Sequence, residues 1–233
     1  MSKVIRFLKN TLYKKFGLFV TRVDPKFKNE IFHKILTLHS SILHIGGNRG
    51  QEASYYASLN LNVLWVEADP QVAKELSENI EIFSNQKSIA ALLLDKPGLK
   101  KEFKVFSNMG VSSSIFTLAK NHGFEKLNLR VAEIKILETE TIDNLFDRFN
   151  LRNYTHWVLD VQGSELLVLK GASRALKYCK SMTVEVSTRQ VYKGGVQYID
   201  LKNYLESHGF FPLWEPGSEA HCEIVFLKTF KNS

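Results

Sequence analysis

The chain has 233 residues, of which 44% are hydrophobic and 24% charged, and its formal net charge is +7. This apolar content is too high for a disordered chain, and no run of about 18 apolar residues could cross a membrane as a helix. Two cysteines, Cys179 and Cys222, cannot form a disulfide framework or a four-thiolate zinc site, so we expect a reduced, cytoplasmic protein.

The positive charge is concentrated at the start of the chain. Residues 1–36 carry nine basic and two acidic side chains, whereas the remainder is balanced. Apolar residues at three- and four-residue spacing predict an amphipathic helix that ends near Gly17, and Asp24-Pro25 predicts the start of a second helix. The charge therefore belongs to an appendage rather than to the whole protein.

We divide the chain into a basic helical extension, 1–38, and one folded domain, 39–233. The first helix is expected to pack on the domain or to serve in a homodimer, and the sequence does not fix the oligomeric state. Alternatively, residues 1–20 contact the inner face of an anionic membrane. No nucleic-acid motif accompanies the basic residues, so a nucleic-acid partner is not expected.

From residue 41 strand and helix patterns alternate, which predicts an α/β sheet. Ser41–Ile45 predicts a strand that runs into the turn Gly46-Gly47-Asn48-Arg49-Gly50, where glycines allow a ligand close to a helix N-terminus. Glu67 ends the next predicted strand, 21 residues after Gly46. At that spacing a carboxylate can bind the ribose hydroxyls of an adenosine-containing cofactor. Alternatively, Glu67 only caps the helix that begins near Pro70.

The spacing of the glycines limits which cofactor is expected. In the turn they occupy positions 1, 2 and 5, which differs from the G-x-G-x-x-G pattern of NAD enzymes. The Walker A lysine that binds ATP phosphates is missing from the sequence as well. Both NAD-dependent hydride transfer and phosphoryl transfer are therefore disfavoured.

The second half of the chain predicts the remaining elements. Period-two alternation or apolar runs predict strands, and a run that Thr141 caps predicts a helix. The predicted strands span 87–94, 101–106, 131–136, 156–160 and 181–186, the helix spans 141–149, and two final strands begin at Phe210 and Glu223.

Several motifs together resemble one protein family. The glycine turn, Glu67-Ala68-Asp69-Pro70, the block 159–165 (L-D-V-Q-G-S-E) and 168–172 (V-L-K-G-A) are similar to the motifs of FkbM-type methyltransferases. The resemblance covers about residues 41–228, and the last two blocks are its most specific part. It implies a Rossmann-like class I methyltransferase sheet, mostly parallel with an antiparallel last strand, after an N-terminal helical extension. It also implies S-adenosylmethionine as the cofactor.

The resemblance assigns a set of cofactor-binding residues. His44 stands where the family has an Asp, so it could hold the cofactor only as a neutral acceptor or through a changed network. Alternatively, His44 is simply hydrogen-bonded in place. The third strand is expected to end beside the adenine. The predicted cofactor site comprises His44, Gly46, Gly47, Asn48, Gly50, Glu67, Ala68, Ala91, Leu92 and Asp160.

Two carboxylates are the candidates for the chemistry. Asp160 ends the fourth strand of the main sheet and Glu185 lies on the fifth, so both are expected at the ligand-binding edge. Transfer to a hydroxyl requires a group that takes its proton, and Asp160 is the first choice for this base. A magnesium ion bound there stays open, but no His/Asp cluster at metal-ligand spacing indicates one.

The acceptor is expected to be a small molecule or a glycan, most plausibly through a sugar hydroxyl. Glu165 is one candidate for binding the acceptor; the alternative is that its negative charge only stabilises the N-terminus of the helix that begins there, through the helix dipole. His122, His208 and His221 are interpreted as isolated residues. Two rivals remain, a degenerate cofactor-binding scaffold and an NAD-dependent oxidoreductase. The residues expected to bind the acceptor are Ser113, Ser114, Gln162, Glu165 and Tyr192.

Overall fold

The computed structural model describes residues 28–120 and 128–229. The predicted first helix, the Asp24-Pro25 helix start and His122 lie outside these residues. The helices are α1 (Lys28–Leu36), α2 (Ala53–Ser58), α3 (Pro70–Ile80), α4 (Ile142–Phe149), α5 (Glu165–Lys170) and α6 (Tyr198–Ser207). The strands are β1 (Ser41–Ile45), β2 (Asn62–Glu67), β3 (Gln86–Ala90), β4 (Leu92–Leu93), β5 (Lys100–Phe106), β6 (Thr117–Leu118), β7 (Val131–Glu140), β8 (His156–Leu159), β9 (Ser181–Ser187), β10 (Tyr192–Lys193), β11 (Phe210–Pro212) and β12 (His221–Lys228).

Seven of these strands form the central sheet, in the order β11-β12-β9-β8-β1-β2-β3. Strand β12 is antiparallel to both of its neighbours, and the other strands share one direction. The predicted mostly parallel α/β sheet with an antiparallel last strand is therefore confirmed. The reversal of strand order on either side of β1 opens a crevice at the carboxyl edge, where such sheets bind ligands.

Both faces of the sheet are covered by apolar side chains, as expected for parallel strands. Trp157, Leu159 and Val184 belong to the core on one face, whereas Trp65 and Val158 belong to the other. Helix α1 adds its apolar stripe to these cores through Ile31, Ile35 and Leu36, all of them buried. The part of the predicted extension that is described thus packs on the folded domain.

The third strand differs from its prediction. Instead of running through 87–94, it ends at Ala90, and Ala91 donates its N–H to the carbonyl of Glu67. Strand β4 then pairs with β7 in a smaller sheet, β4-β7-β5. A continuous apolar run does not reveal such a change of partner, because strand pairing is set by tertiary contacts.

The two strands predicted from period-two alternation, 101–106 and 131–136, are present as β5 and β7 and are antiparallel to each other. The helix predicted at 141–149 is also present, and the Thr141 side chain accepts the N–H of Asn144 at 3.2 Å. Among the residues that the structure describes, no helix is both long and apolar enough to cross a membrane.

Candidate active site

A cavity of about 210 Å³ opens at the carboxyl edge of the sheet, beside the ends of β1, β2 and β8. Most of the predicted cofactor residues contribute to its wall. Gly50 is the exception, because it lies against the Leu76 side chain of helix α3. The predicted residues that line the cavity are His44, Gly46, Gly47, Asn48, Glu67, Ala68, Ala91, Leu92, Ser113, Asp160 and Gln162.

The glycine turn joins β1 to the wall of this cavity. Gly46 has φ +86°, and its N–H and that of Gly47 both donate to the Val66 carbonyl, at 2.9 and 3.1 Å. A β-carbon at Gly46 would lie 1.8 Å from the carbonyl oxygen of Asp160. Only glycine at position 46 therefore allows the turn after β1 to contact the backbone of Asp160, which follows β8.

Glu67 is fixed by backbone donors on both sides of the crevice. One carboxylate oxygen accepts the N–H of Asn48 at 2.8 Å, and the other accepts the N–H of Asp69 at 2.9 Å. Burial raises the pKa of Glu67 despite these bonds. The helix cap is Asp69, which accepts the Gln71 N–H, so Glu67 is not required as the cap of α3.

Lys135, on strand β7, was not singled out from the sequence. Its ammonium group donates to both carboxylate oxygens of Asp69, at 2.7 and 2.8 Å, and the Lys135 side chain is only 18% exposed. The smaller sheet is thereby bound to the segment that holds Glu67. The lysine lies in the alternating pattern of β7, but nothing in the sequence pairs it with Asp69, 66 residues away.

His44 is buried beside the cavity and stacks on Trp65, with ring centroids 4.5 Å apart. Its Nδ1 atom lies 3.2 Å from the Tyr56 hydroxyl. Burial lowers the pKa of His44 to about 3, so the imidazole is neutral near pH 7. Both sequence-based alternatives are compatible with this placement, since the ring is held in the core and also lines the cavity.

Asp160 and Glu185 are brought together, and Gln162 connects them. The Gln162 amide nitrogen donates to Asp160 Oδ1 and, at 2.8 Å, to Glu185 Oε2. Gln162 holds this position with φ +52°, an unusual conformation for a residue other than glycine. Burial, followed by the charge of Glu185, raises the pKa of Asp160 well above its usual range.

His221, which was interpreted as an isolated residue, also lies near these acids. Its Nδ1 atom lies 3.6 Å from Glu185 Oε2 across the β9–β12 pair. His208, in contrast, lies on the surface and stacks on Tyr204. Within residues 28–120 and 128–229, no group of three or more His, Cys, Asp or Glu side chains is arranged to hold a metal ion.

The residues predicted to bind the acceptor divide into two sets. Ser113 and Gln162 line the cavity, whereas Ser114, Glu165 and Tyr192 are buried outside its wall. Ser114 donates to the Gln162 carbonyl at 2.7 Å, and the Tyr192 hydroxyl lies 2.6 Å from Gln162 Oε1. In this structure the buried serine and tyrosine orient Gln162.

Glu165 organises the loop that follows Asp160. One of its oxygens accepts the N–H groups of Val161 and Gly163, at 3.2 and 3.1 Å. The side chain is enclosed, and burial raises the pKa of Glu165 from 4.5 to about 7, with the charge of Glu185 adding to the rise. The position at the start of α5 was predicted, but the enclosure and the two backbone donors were not.

Replacing Glu165 with Gln should flatten the pH dependence of stability. The raised pKa means that the protonated carboxyl stabilises the fold fully below pH 4.5, and that this stabilisation is lost as the pH rises through about 7. The loss amounts to about 3 kcal/mol. Urea unfolding of the wild-type protein and Glu165→Gln, at pH 4.5 and above pH 7, should show the variant relatively more stable at the higher pH.

Glu138→Gln provides the control for this measurement, because Glu138 is an exposed glutamate on β7. It should keep the wild-type dependence on pH. If Glu165→Gln and Glu138→Gln changed stability equally at both pH values, the titration of Glu165 would not affect folding.

Comparisons with known proteins were made for the whole chain. The family model described as the methyltransferase FkbM domain matches residues 44–212, whereas no curated protein sequence matches the chain. A solved TehB-like SAM-dependent methyltransferase from Corynebacterium glutamicum is similar, with 12% identity, coverage of 97% of this chain and 96% of that chain, and a TM-score of 0.47.

Two further solved structures have similar folds. The 1,6-didemethyltoxoflavin-N1-methyltransferase of Burkholderia thailandensis, with S-adenosylhomocysteine bound, has 11% identity, coverage of 98% and 90%, and a TM-score of 0.46. An rRNA methylase from Streptococcus thermophilus has 10% identity, coverage of 89% and 100%, and a TM-score of 0.47.

Proposed function

The chain belongs to the FkbM family of methyltransferases, and from this premise we propose that it methylates a sugar hydroxyl, with S-adenosylmethionine as the methyl donor. The sugar would belong to a glycan, a glycolipid or a glycosylated metabolite. The observation that carries the proposal is the pair of half-buried carboxylates Asp160 and Glu185, which Gln162 bridges. Asp160 and Gln162 line the 210 Å³ cavity at the carboxyl edge of the sheet, which we call the main cavity. The carboxylate pair supplies the proton acceptor that an alcohol needs as it attacks, whereas a neutral amine can attack before it loses a proton.

The described residues fit the proposed cofactor. Glu67 presents a carboxylate to the cavity at the end of β2, where it could accept hydrogen bonds from two ribose hydroxyls. Gly46 and Gly47 carry no side chain, so the cofactor could approach the backbone of the turn closely. Ala91 and Leu92 provide an apolar wall beside them for an adenine ring. When bound, S-adenosylmethionine would supply a methyl group on a positively charged sulfur, which the acidic wall favours.

Asp160 would accept the proton of the attacking hydroxyl. An ordinary surface carboxylate is a weak base towards an alcohol, but burial and the charge of Glu185 both raise the pKa of Asp160. Gln162 holds the two carboxyl groups in fixed positions, and Ser114 and Tyr192 in turn hold Gln162. Positioning of the acceptor against these groups would contribute the rest of the acceleration.

Calorimetry with S-adenosylmethionine, S-adenosylhomocysteine and NAD tests the cofactor. Binding of both sulfur compounds without NAD binding is expected. Methyl transfer to glycosides and glycolipids, measured with a labelled methyl group, then tests the acceptor. Cofactor binding without methyl transfer to any acceptor would favour a cofactor-binding scaffold, which the neutral His44 in place of the family acid would explain. Methyl transfer to RNA would replace the assignment of a sugar as the acceptor.

Glu67→Gln should weaken binding of S-adenosylhomocysteine by about 10- to 100-fold. A hydrogen bond to a charged group contributes roughly 1.5–3 kcal/mol, and the amide cannot accept from both Asn48 and Asp69 while also receiving the ribose. Calorimetric Kd values, with circular dichroism to verify folding, provide the measurement. Glu78→Gln is the matched control, because Glu78 is exposed on α3 and its nearest charge is Lys74; equal affinities of the two variants would refute the assignment of Glu67.

A further inference from the structure

A second cavity, of about 260 Å³, lies on the face of the sheet that α1 covers. It has both apolar and polar walls. Phe32, Trp214 and Val225 supply apolar surface, while Lys28, Asn29, Glu219 and Glu223 supply charged and polar groups. Its volume, like the 210 Å³ of the cavity at the carboxyl edge of the sheet, is below the roughly 300–1,000 Å³ of sites for drug-sized ligands.

The strand register connects this cavity with the carboxylates of the main cavity. Glu223 on β12 lies directly opposite Glu185 on β9, so the two side chains project from the same face of the sheet. Glu185 is in turn bonded to Gln162, which lines the main cavity. Glu185 thus connects Gln162, at the main cavity, with the strand position opposite Glu223, at the second cavity.

The pKa of Glu223 responds to the same neighbouring charges. Burial raises the pKa of Glu223, and the charges of Glu185 and Glu52 add to the rise. Glu52 itself lines the main cavity. Three carboxylates are therefore neighbours here: Glu52 at the main cavity, Glu185 on β9, and Glu223 at the second cavity.

We infer that the second cavity binds the sugar ring of the acceptor, so that a hydroxyl of that ring reaches Asp160 past Glu185. This inference rests on the proposed function and adds the place where the acceptor is recognised. Carboxylates and the Asn29 amide can bond several hydroxyls of a neutral sugar, while Phe32 and Trp214 cover its apolar faces. A phosphate group is disfavoured, because Glu219 and Glu223 outnumber Lys28.

Asn29 and Glu30 allow a matched test of this cavity. Both residues are exposed in the first turn of α1, but Asn29 lines the cavity, whereas Glu30 pairs with Lys34. Asn29→Trp should fill the cavity without disturbing the core, whereas Glu30→Trp should leave the cavity open. The probes are methyl glycosides of the common hexoses and deoxyhexoses, and their binding is detected by saturation-transfer NMR on the full-length chain with S-adenosylhomocysteine present.

Saturation transfer to at least one glycoside is expected with the wild-type protein and with Glu30→Trp. In Asn29→Trp the affinity for that glycoside should fall by at least about tenfold, because the new side chain fills the pocket. Calorimetry should show the same Kd for S-adenosylhomocysteine in all three proteins. Equal glycoside binding by the two variants, or no binding to any of the three, would overturn the second cavity as the sugar site. Failure of the wild-type protein to bind S-adenosylhomocysteine would instead overturn the proposed function and, with it, this inference.

Discussion

Asp160→Asn should lower the rate of methyl transfer by about 10²- to 10⁴-fold, the usual contribution of a positioned general base. The asparagine oxygen can still accept the bond from Gln162, and the shape of the cavity wall is nearly unchanged. Binding of S-adenosylhomocysteine should therefore persist while kcat falls. Single-turnover transfer to a validated acceptor, together with calorimetry, separates the two effects.

Glu185→Gln gives this experiment a second readout. The charge of Glu185 raises the pKa of Asp160, so its removal should move the acidic limb of the kcat–pH profile to lower pH. Asp147→Asn is the control, since Asp147 is 65% exposed on α4 and pairs with Arg174 on the surface. Wild-type kcat in Asp160→Asn would show that another group takes the proton. An unshifted kcat–pH profile in Glu185→Gln would show that the charge of Glu185 does not raise the pKa of the catalytic group.

The group of residues at the carboxyl edge of the sheet was largely predictable because its signals are local. A strand, a glycine turn and an acid at the end of the next strand occur in order, and parallel strands bring Gly46, Glu67 and Asp160 to one edge wherever the helices lie. The alternation that predicted β5 and β7 located both strands, but it did not show which face is covered. On β7 the apolar Ile134 and Ile136 are exposed, whereas Lys135 between them is only 18% exposed. Each of these signals is contained in a short segment.

The rest depends on contacts between distant parts of the chain. Ser114 and Tyr192 were expected to bind the acceptor, yet both are buried and bonded to Gln162. The pairing of β10 with β6 places Tyr192, and a backbone bridge to Lys104 on β5 places Ser114. The proximity of His221 to Glu185 follows from the register of β12, which a sequence does not specify. Side chains were therefore easier to place on an edge of the sheet than to divide between binding and support.

Gly46→Ala should destabilise the protein by more than about 4 kcal/mol, an exceptional loss for a single methyl group. Two effects combine at this position. The φ of +86° is unfavourable for alanine, and the added β-carbon would lie 1.8 Å from the Asp160 carbonyl oxygen. Relief of that overlap requires β1 and β8 to separate at the edge where the cavity opens.

Gly98→Ala separates strain from overlap. Gly98 has φ +74°, but its β-carbon would meet no atom within 4 Å, so only the backbone preference is lost, at about 1–2 kcal/mol. Urea unfolding followed by fluorescence of the buried Trp65 and Trp157 gives both free energies of unfolding. Equal losses would mean that β1 and β8 part easily at this edge. A much larger loss at Gly46 would show that their contact is rigid. A rigid contact fixes Asp160 relative to the glycine turn, and so fixes the distance between the proposed proton acceptor and the proposed cofactor site.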